Sequence, residues 1–146
     1  MRQITKLLFV ILLVMITACG LDWSNPLDPA NGDIRVPKLV TGIELSSSGQ
    51  GATDKYIDIT WSELSPSEAD GYFIYRSRSF DGTFELIVEL RGAEDNHYRD
   101  TDRIVTGAYF YKMSSFVYLD PSNPNDNERL EGPLNRPGQP GIVVPK

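Results

Sequence analysis

The sequence predicts an all-β domain, and three observations point to it. From residue 37 onward apolar residues recur in short alternating runs; Gly, Pro, Asn and Asp clusters divide those runs; and no stretch holds a helical period. Strands this short at such spacing pack as a sandwich or small barrel. A chain of 146 residues, 40% of them hydrophobic, has material for one modest core plus flanking segments.

The first eighteen residues have the layout of an export signal. Arg2 and Lys6 give a positive start, and Leu7 to Met15 is an uninterrupted apolar run. That run falls short of the roughly 20 residues a spanning helix requires. Ile16, Thr17, Ala18 and Cys19 follow it: an aliphatic residue, two small residues, then cysteine. This motif resembles the lipobox of bacterial lipoproteins. The resemblance implies cleavage before Cys19 and a diacylglyceryl thioether on its sulfur, often with a further N-acyl chain. One acyl chain binds a membrane only marginally, whereas two or three hold it durably, at about 0.8 kcal/mol per buried methylene. Cys19 is the only cysteine, so no internal disulfide can form, and acylation accounts for an otherwise unpaired thiol in an exported chain. Gly20, in place of Asp, is compatible in enteric members of that family with sorting to the outer membrane. The expected location is therefore the cell envelope, lipid-anchored at the outer membrane.

Residues 19–36 read as a tether, dense in Pro, Asn, Asp and Gly and without periodicity. Trp23 and Leu27 are its apolar exceptions. The domain then occupies residues 37–137, and residues 138–146 form a Pro/Gly-rich tail. Lys38 to Leu45 offers a first strand. Tyr56 to Trp61 alternates, with Ile57, Ile59 and Trp61 on one face and Asp58 and Thr60 on the other. Gly71 to Ser77 and Phe84 to Leu90 come next, joined through an Asp81-Gly82 turn. His97 to Asp100 is short, Ala108 to Leu119 long, and Arg129 to Arg136 weak because Pro133 confines it to an edge. The count is seven.

Several of these residues, in this order, resemble the fibronectin type III family, a seven-stranded immunoglobulin-like sandwich. Pro37 precedes the first strand; Ile57, Ile59 and Trp61 match the second with its buried tryptophan; Asp70, Gly71, Tyr72, Ile74 and Arg76 match the third; Tyr109, Tyr111 and Met113 match the sixth. The resemblance implies that Tyr109 is the corner tyrosine, whose hydroxyl bonds to upstream backbone and pins the crossover between sheets. The Pro-rich end departs from the family, and it leaves closure of the last edge open.

Composition and motifs exclude several functions. A net charge of −6, near −8 once Arg2 and Lys6 are removed from the 14 basic residues against 20 acidic ones, argues against a nucleic-acid partner. One histidine, His97, with no Gly-x-Ser-x-Gly elbow, does not make a hydrolase triad. One Cys and one His do not make a zinc site, and no cofactor motif occurs. Acid pairs such as Glu94 with Asp95, or Asp100 with Asp102, invite comparison with a glycoside hydrolase, but neighbouring acids are ordinary on β edges. Asp120 and Glu131 have the spacing of a twelve-residue calcium loop, yet Pro124 and Asn125 stand at its fifth and sixth positions. It reads as a solvated loop.

Binding is then the expected role, non-catalytic and without a metal. Alternation that turns Tyr72, Ile74, Tyr109, Tyr111 and Met113 inward turns Phe73, Tyr75, Phe110 and Phe116 outward on one side. These four aromatics are the candidate binding face, suited to a protein or polysaccharide partner. A spacer role for the module, and a structural reading in which that face is buried in an envelope assembly, are the alternatives.

Overall fold

The computed structural model describes residues 35–120, 122, 128–135 and 141–145. The export signal, Cys19 and nearly all of the tether lie outside the described residues. Among the described residues there is no helix, and eight strands run β1 (Glu44–Ser47), β2 (Ile57–Thr60), β3 (Gly71–Ser77), β4 (Glu85–Arg91), β5 (His97–Asp100), β6 (Tyr109–Tyr118), β7 (Arg129–Glu131) and β8 (Gly141–Val143). They form two antiparallel sheets, one ordered β1-β2-β5 and one ordered β4-β3-β6-β7, with β8 also pairing β6.

The core between the sheets is what the alternation of the sequence demands. Ile57, Ile59 and Trp61 from one side meet Tyr72, Ile74, Tyr109, Tyr111 and Met113 from the other, and Val40 and Ile104 close the ends. Full burial of each large aliphatic side chain stabilises the fold by about 1.5–3 kcal/mol. Trp61 is 5% exposed and packs edge-on to Tyr72, with ring centroids 5.2 Å apart. Tyr72 completes its burial by donating to Ala93 O at 2.5 Å and accepting from Leu64 N at 2.9 Å.

Two element boundaries differ from expectation. The first strand begins at Glu44, not Lys38. Gly42 interrupts it at φ 66°, with Ser62 seated where a side chain would project. Residues 38–41 run extended and bond singly, Lys38 N to Glu68 O and Ser62 N to Thr41 O. The last strand is longer than Pro133 implies, but it is split: β7 pairs the end of β6 through Phe116 and Glu131, and β8 pairs its start through Tyr109 and Val143. Residues expected to be a tail thus belong to the sheet. Asn135 bridges the gap, its N donating to Met113 O at 2.8 Å and its Oδ1 accepting from Met113 N at 2.7 Å. At Met113 the proline-marked edge is closed by this one residue, through its backbone N–H and its side-chain oxygen.

Candidate functional site

Positions alternate along β3 and β6 as expected, and Phe73, Tyr75, Phe110 and Phe116 do share the outer side of the larger sheet. They are not an open platform. Phe116 is fully buried and Phe73 nearly so, while Tyr75 and Phe110 are half-buried. The cause is Arg129 on β7, whose guanidinium carbon lies 5.1 Å from the Phe116 ring, 5.6 Å from Tyr118 and 5.9 Å from Phe73. Glu89 on β4 pairs with that guanidinium and holds it across the face. Phe73 and Phe116 stack at 4.7 Å beneath it, and the absence of a side chain on Gly71 makes room for Phe116. A central strand covered on both faces is the consequence. Tyr75 turns its hydroxyl to Glu131 at 2.7 Å, and burial followed by that bond pushes its pKa up to about 12.

Arg76 does not cover these rings. It points inward and donates through Nη1 to both oxygens of Asp100, at 3.0 and 2.9 Å, joining β3 of one sheet to β5 of the other. Asp100 also accepts from Tyr111 Oη at 2.7 Å and from Asp102 N at 3.1 Å, so all of its lone pairs have partners nearby. Burial and the Asp100 charge together raise the Tyr111 pKa far above its ordinary value. This carboxylate is a structural anchor and cannot serve as the free acid of a hydrolase pair. Glu94 and Asp95 lie in an exposed turn after β4. His97 sits on the surface with its Nε2 3.0 Å from Asp58, and Arg99, reaching the same carboxylate at 2.7 and 2.8 Å, holds Asp58 below the usual carboxylate range.

Of the loop with calcium-like spacing, residues 121 and 123–127 lie outside the described residues. Asp120 Oδ1 accepts from Ser122 N at 2.9 Å. Glu131, at the twelfth position, has its Oε1 bonded to Tyr75 and Ser114 on the sheet face. Among the described residues no group of three or more His, Cys, Asp or Glu side chains could hold a metal ion.

One concave surface lies at the end where β3 finishes and β6 begins. A cleft of about 540 Å³ is lined there by Arg76, Arg78, Arg103, Glu85 and Tyr109, with Ser77, Ser79 and Thr83 at its wall. Tyr109 is the corner residue that the sequence implied: its hydroxyl accepts from Val105 N at 2.8 Å and donates to Arg103 O at 3.4 Å. That pair of bonds holds Arg103 at φ 55°, a left-handed conformation uncommon for a residue with a side chain. Arg78 lies over the Tyr109 ring at 4.0 Å, against Gly107 at φ 138°. A second cleft of about 580 Å³, lined in part by Lys55, Tyr56 and Arg99, flanks Arg103 on its other side. Sequence reasoning missed this cluster. The alternation that turned Ile74 inward also placed Arg76 inward, and that was the available signal.

No family model matches the sequence, and no curated protein matches it. Solved structures do resemble it. The chicken CNTN1 FN1-FN3 domains align with a TM-score of 0.52 at 16% identity, over 76% of this chain and 34% of that one. The fold is a fibronectin type III-like sandwich. A structure of titin kinase and its flanking domains aligns with a TM-score of 0.50 at 14% identity, over 77% of this chain and 18% of that one. A Fn3-like protein from Clostridium thermocellum aligns with a TM-score of 0.49 at 21% identity, over 69% and 88% respectively. In this sandwich β1, β2 and β5 make the smaller sheet, and the divided last strand completes the larger one.

Proposed function

We propose that this chain is a cell-envelope lipoprotein, held at a membrane through acylated Cys19 and presenting a non-catalytic fibronectin type III-like module for binding. The observation that carries the reading is the run Ile16, Thr17, Ala18, Cys19 directly after the apolar stretch of an export signal, in a chain with no other cysteine. The fold supports a binding role, since such sandwiches place variable loops at both ends of a rigid scaffold. A partner at the envelope, protein or polysaccharide, fits that role. The outer-membrane location belongs to the same proposal and rests on Gly20. A hydrolase has little support: His97 and Asp58 are a surface pair and Asp100 is locked by Arg76. An envelope-assembly subunit that buries the aromatic face against another polypeptide has less support than binding, because Arg129 already covers that face.

The test is expression in a bacterial host with labelled palmitate, followed by membrane fractionation. The wild-type chain is expected to incorporate label and pellet with membranes, and Cys19→Ser to do neither. Retention of the unlabelled Cys19→Ser chain at wild-type level counts against the anchor.

A further inference from the structure

We infer that the cleft between Arg78 and Arg103 is a binding site for a tetrahedral oxyanion, a phosphate or phosphate monoester carried by a soluble ligand. This deepens the binding role proposed above and rests on it, but it does not depend on acylation of Cys19. Three observations carry the inference.

Arginine is concentrated here in an otherwise acidic chain. In a chain of net −6, three arginines and one acid, Glu85, line this cleft. Arg76 is neutralised by Asp100, and Asp102 stands beside both Arg76 and Arg103. Arg103 approaches only Asp102, at 3.7 Å, with its side chain 91% exposed, and among the described residues no carboxylate forms an ion pair with Arg78. Two guanidinium groups offer more donors than the two oxygens of a carboxylate can take, and a tetrahedral oxyanion accepts both forks.

The two arginines are placed by the fold. The guanidinium of Arg78 is sandwiched between the Tyr109 ring and Gly107, where an added Cβ would stand 2.5 Å from its Nη2. The backbone of Arg103 is held by the corner hydrogen bonds at φ 55°, and its exposed side chain lines the cleft. A preorganised donor such as Arg78 binds with less entropy to lose.

The position of the cleft favours a soluble ligand over the headgroups of the anchoring membrane. The chain enters the domain at Arg35, which bonds to Pro66 O at 2.7 Å and pairs with Asp70, immediately before β3. The cleft is at the other end of β3, roughly 20 Å away along seven residues. A tether leading to residue 35 therefore meets the end opposite the cleft.

The experiment uses the full chain in neutral detergent and follows the arginine Nε–H resonances as inorganic phosphate is added. Saturable shifts of Arg78 and Arg103 at about millimolar phosphate or below are expected. Arg78→Gln and Arg103→Gln should each weaken binding about tenfold; Glu85→Gln should tighten it, and Arg91→Gln, at the far end of the sheet, should leave it unchanged. Arg78→Lys keeps the charge and loses the fork, so it should weaken phosphate binding even where Arg78→Gln disturbs the Tyr109 packing. Absence of saturation, or equal binding by all folded variants, overturns the site while leaving the palmitate result untouched. A parallel arm with phosphatidylglycerol vesicles decides the source: tighter, Arg78-dependent binding to vesicles than to phosphate overturns the soluble ligand.

Discussion

Arg76 and Asp100 tie the two sheets together, the guanidinium on β3 donating to both oxygens of a fully buried carboxylate on β5. A buried pair of this kind contributes little beyond a well-packed apolar substitute, but removal of one partner strands the other charge. Asp100→Asn is therefore expected to lower stability by about 3–5 kcal/mol, since the Arg76 side chain is only 18% exposed and Tyr111 loses its anionic acceptor as well. Urea denaturation of the purified chain measures this. A loss below about 1 kcal/mol would mean that water or Asp102 takes over the arginine.

Asn135→Ala tests the closure of the split strand. The side-chain oxygen of Asn135 is the acceptor for Met113 N within the stretch of β6, residues 112–115, that the ladders of β7 and β8 do not pair. A buried amide left without an acceptor costs about 1–3 kcal/mol. Hydrogen exchange at Met113 should accelerate more than at Tyr111, whose partner strand is β8. Uniform acceleration along β6 would show that the variant opens the whole sheet and that Asn135 has no local role.

Alternation made the inner core of this domain legible in the sequence, from Ile57 and Ile59 to Tyr111 and Met113, and the family resemblance implied the corner role of Tyr109. Burial on a second face was not legible, because it depends on Arg129 reaching across from a weak edge strand to rings on β3 and β6, which alternation within each strand does not reveal. The same holds for the cleft. Arg78 and Arg103 are 25 positions apart, and only the Tyr109 hydrogen bonds and the small size of Gly107 bring them to one wall. The proposed acylation of Cys19 rests on its immediate neighbours alone, since a lipobox is a linear motif and needs no fold.

Arg129→Ala should uncover the outer aromatic cluster. Its guanidinium lies within 6 Å of three ring centroids, and each such contact stabilises by about 0.5–2 kcal/mol depending on its desolvation, without simple addition. A net loss of about 1–3 kcal/mol is expected, with new binding of a hydrophobic fluorescent dye at the exposed Phe73 and Phe116 rings. Arg129→Lys should recover part of the charge pairing with Glu89 and little of the ring coverage. Unchanged dye binding in Arg129→Ala would show that the rings are covered by something else.

Alkaline titration tests the burial of the tyrosines. Of the seven in the chain, Tyr72, Tyr75, Tyr98 and Tyr111 all have pKa values raised, in each case first by burial; Tyr75, next to the Glu131 carboxylate, reaches about 12. A raised pKa on an acid means that the folded state resists the phenolate form. Below about pH 10 both states are protonated and stability is unaffected. As pH rises past that value the unfolded chain ionises first, so stability falls until the folded tyrosines titrate in turn. The folded chain should therefore show less tyrosinate absorbance than the urea-unfolded chain between about pH 10 and 12, and its urea midpoint should decline over the same interval. Tyr75→Phe should remove the component of the folded titration centred near 12. Folded and unfolded curves that coincide would place these hydroxyls in solvent and contradict the packing of the larger sheet on both its faces.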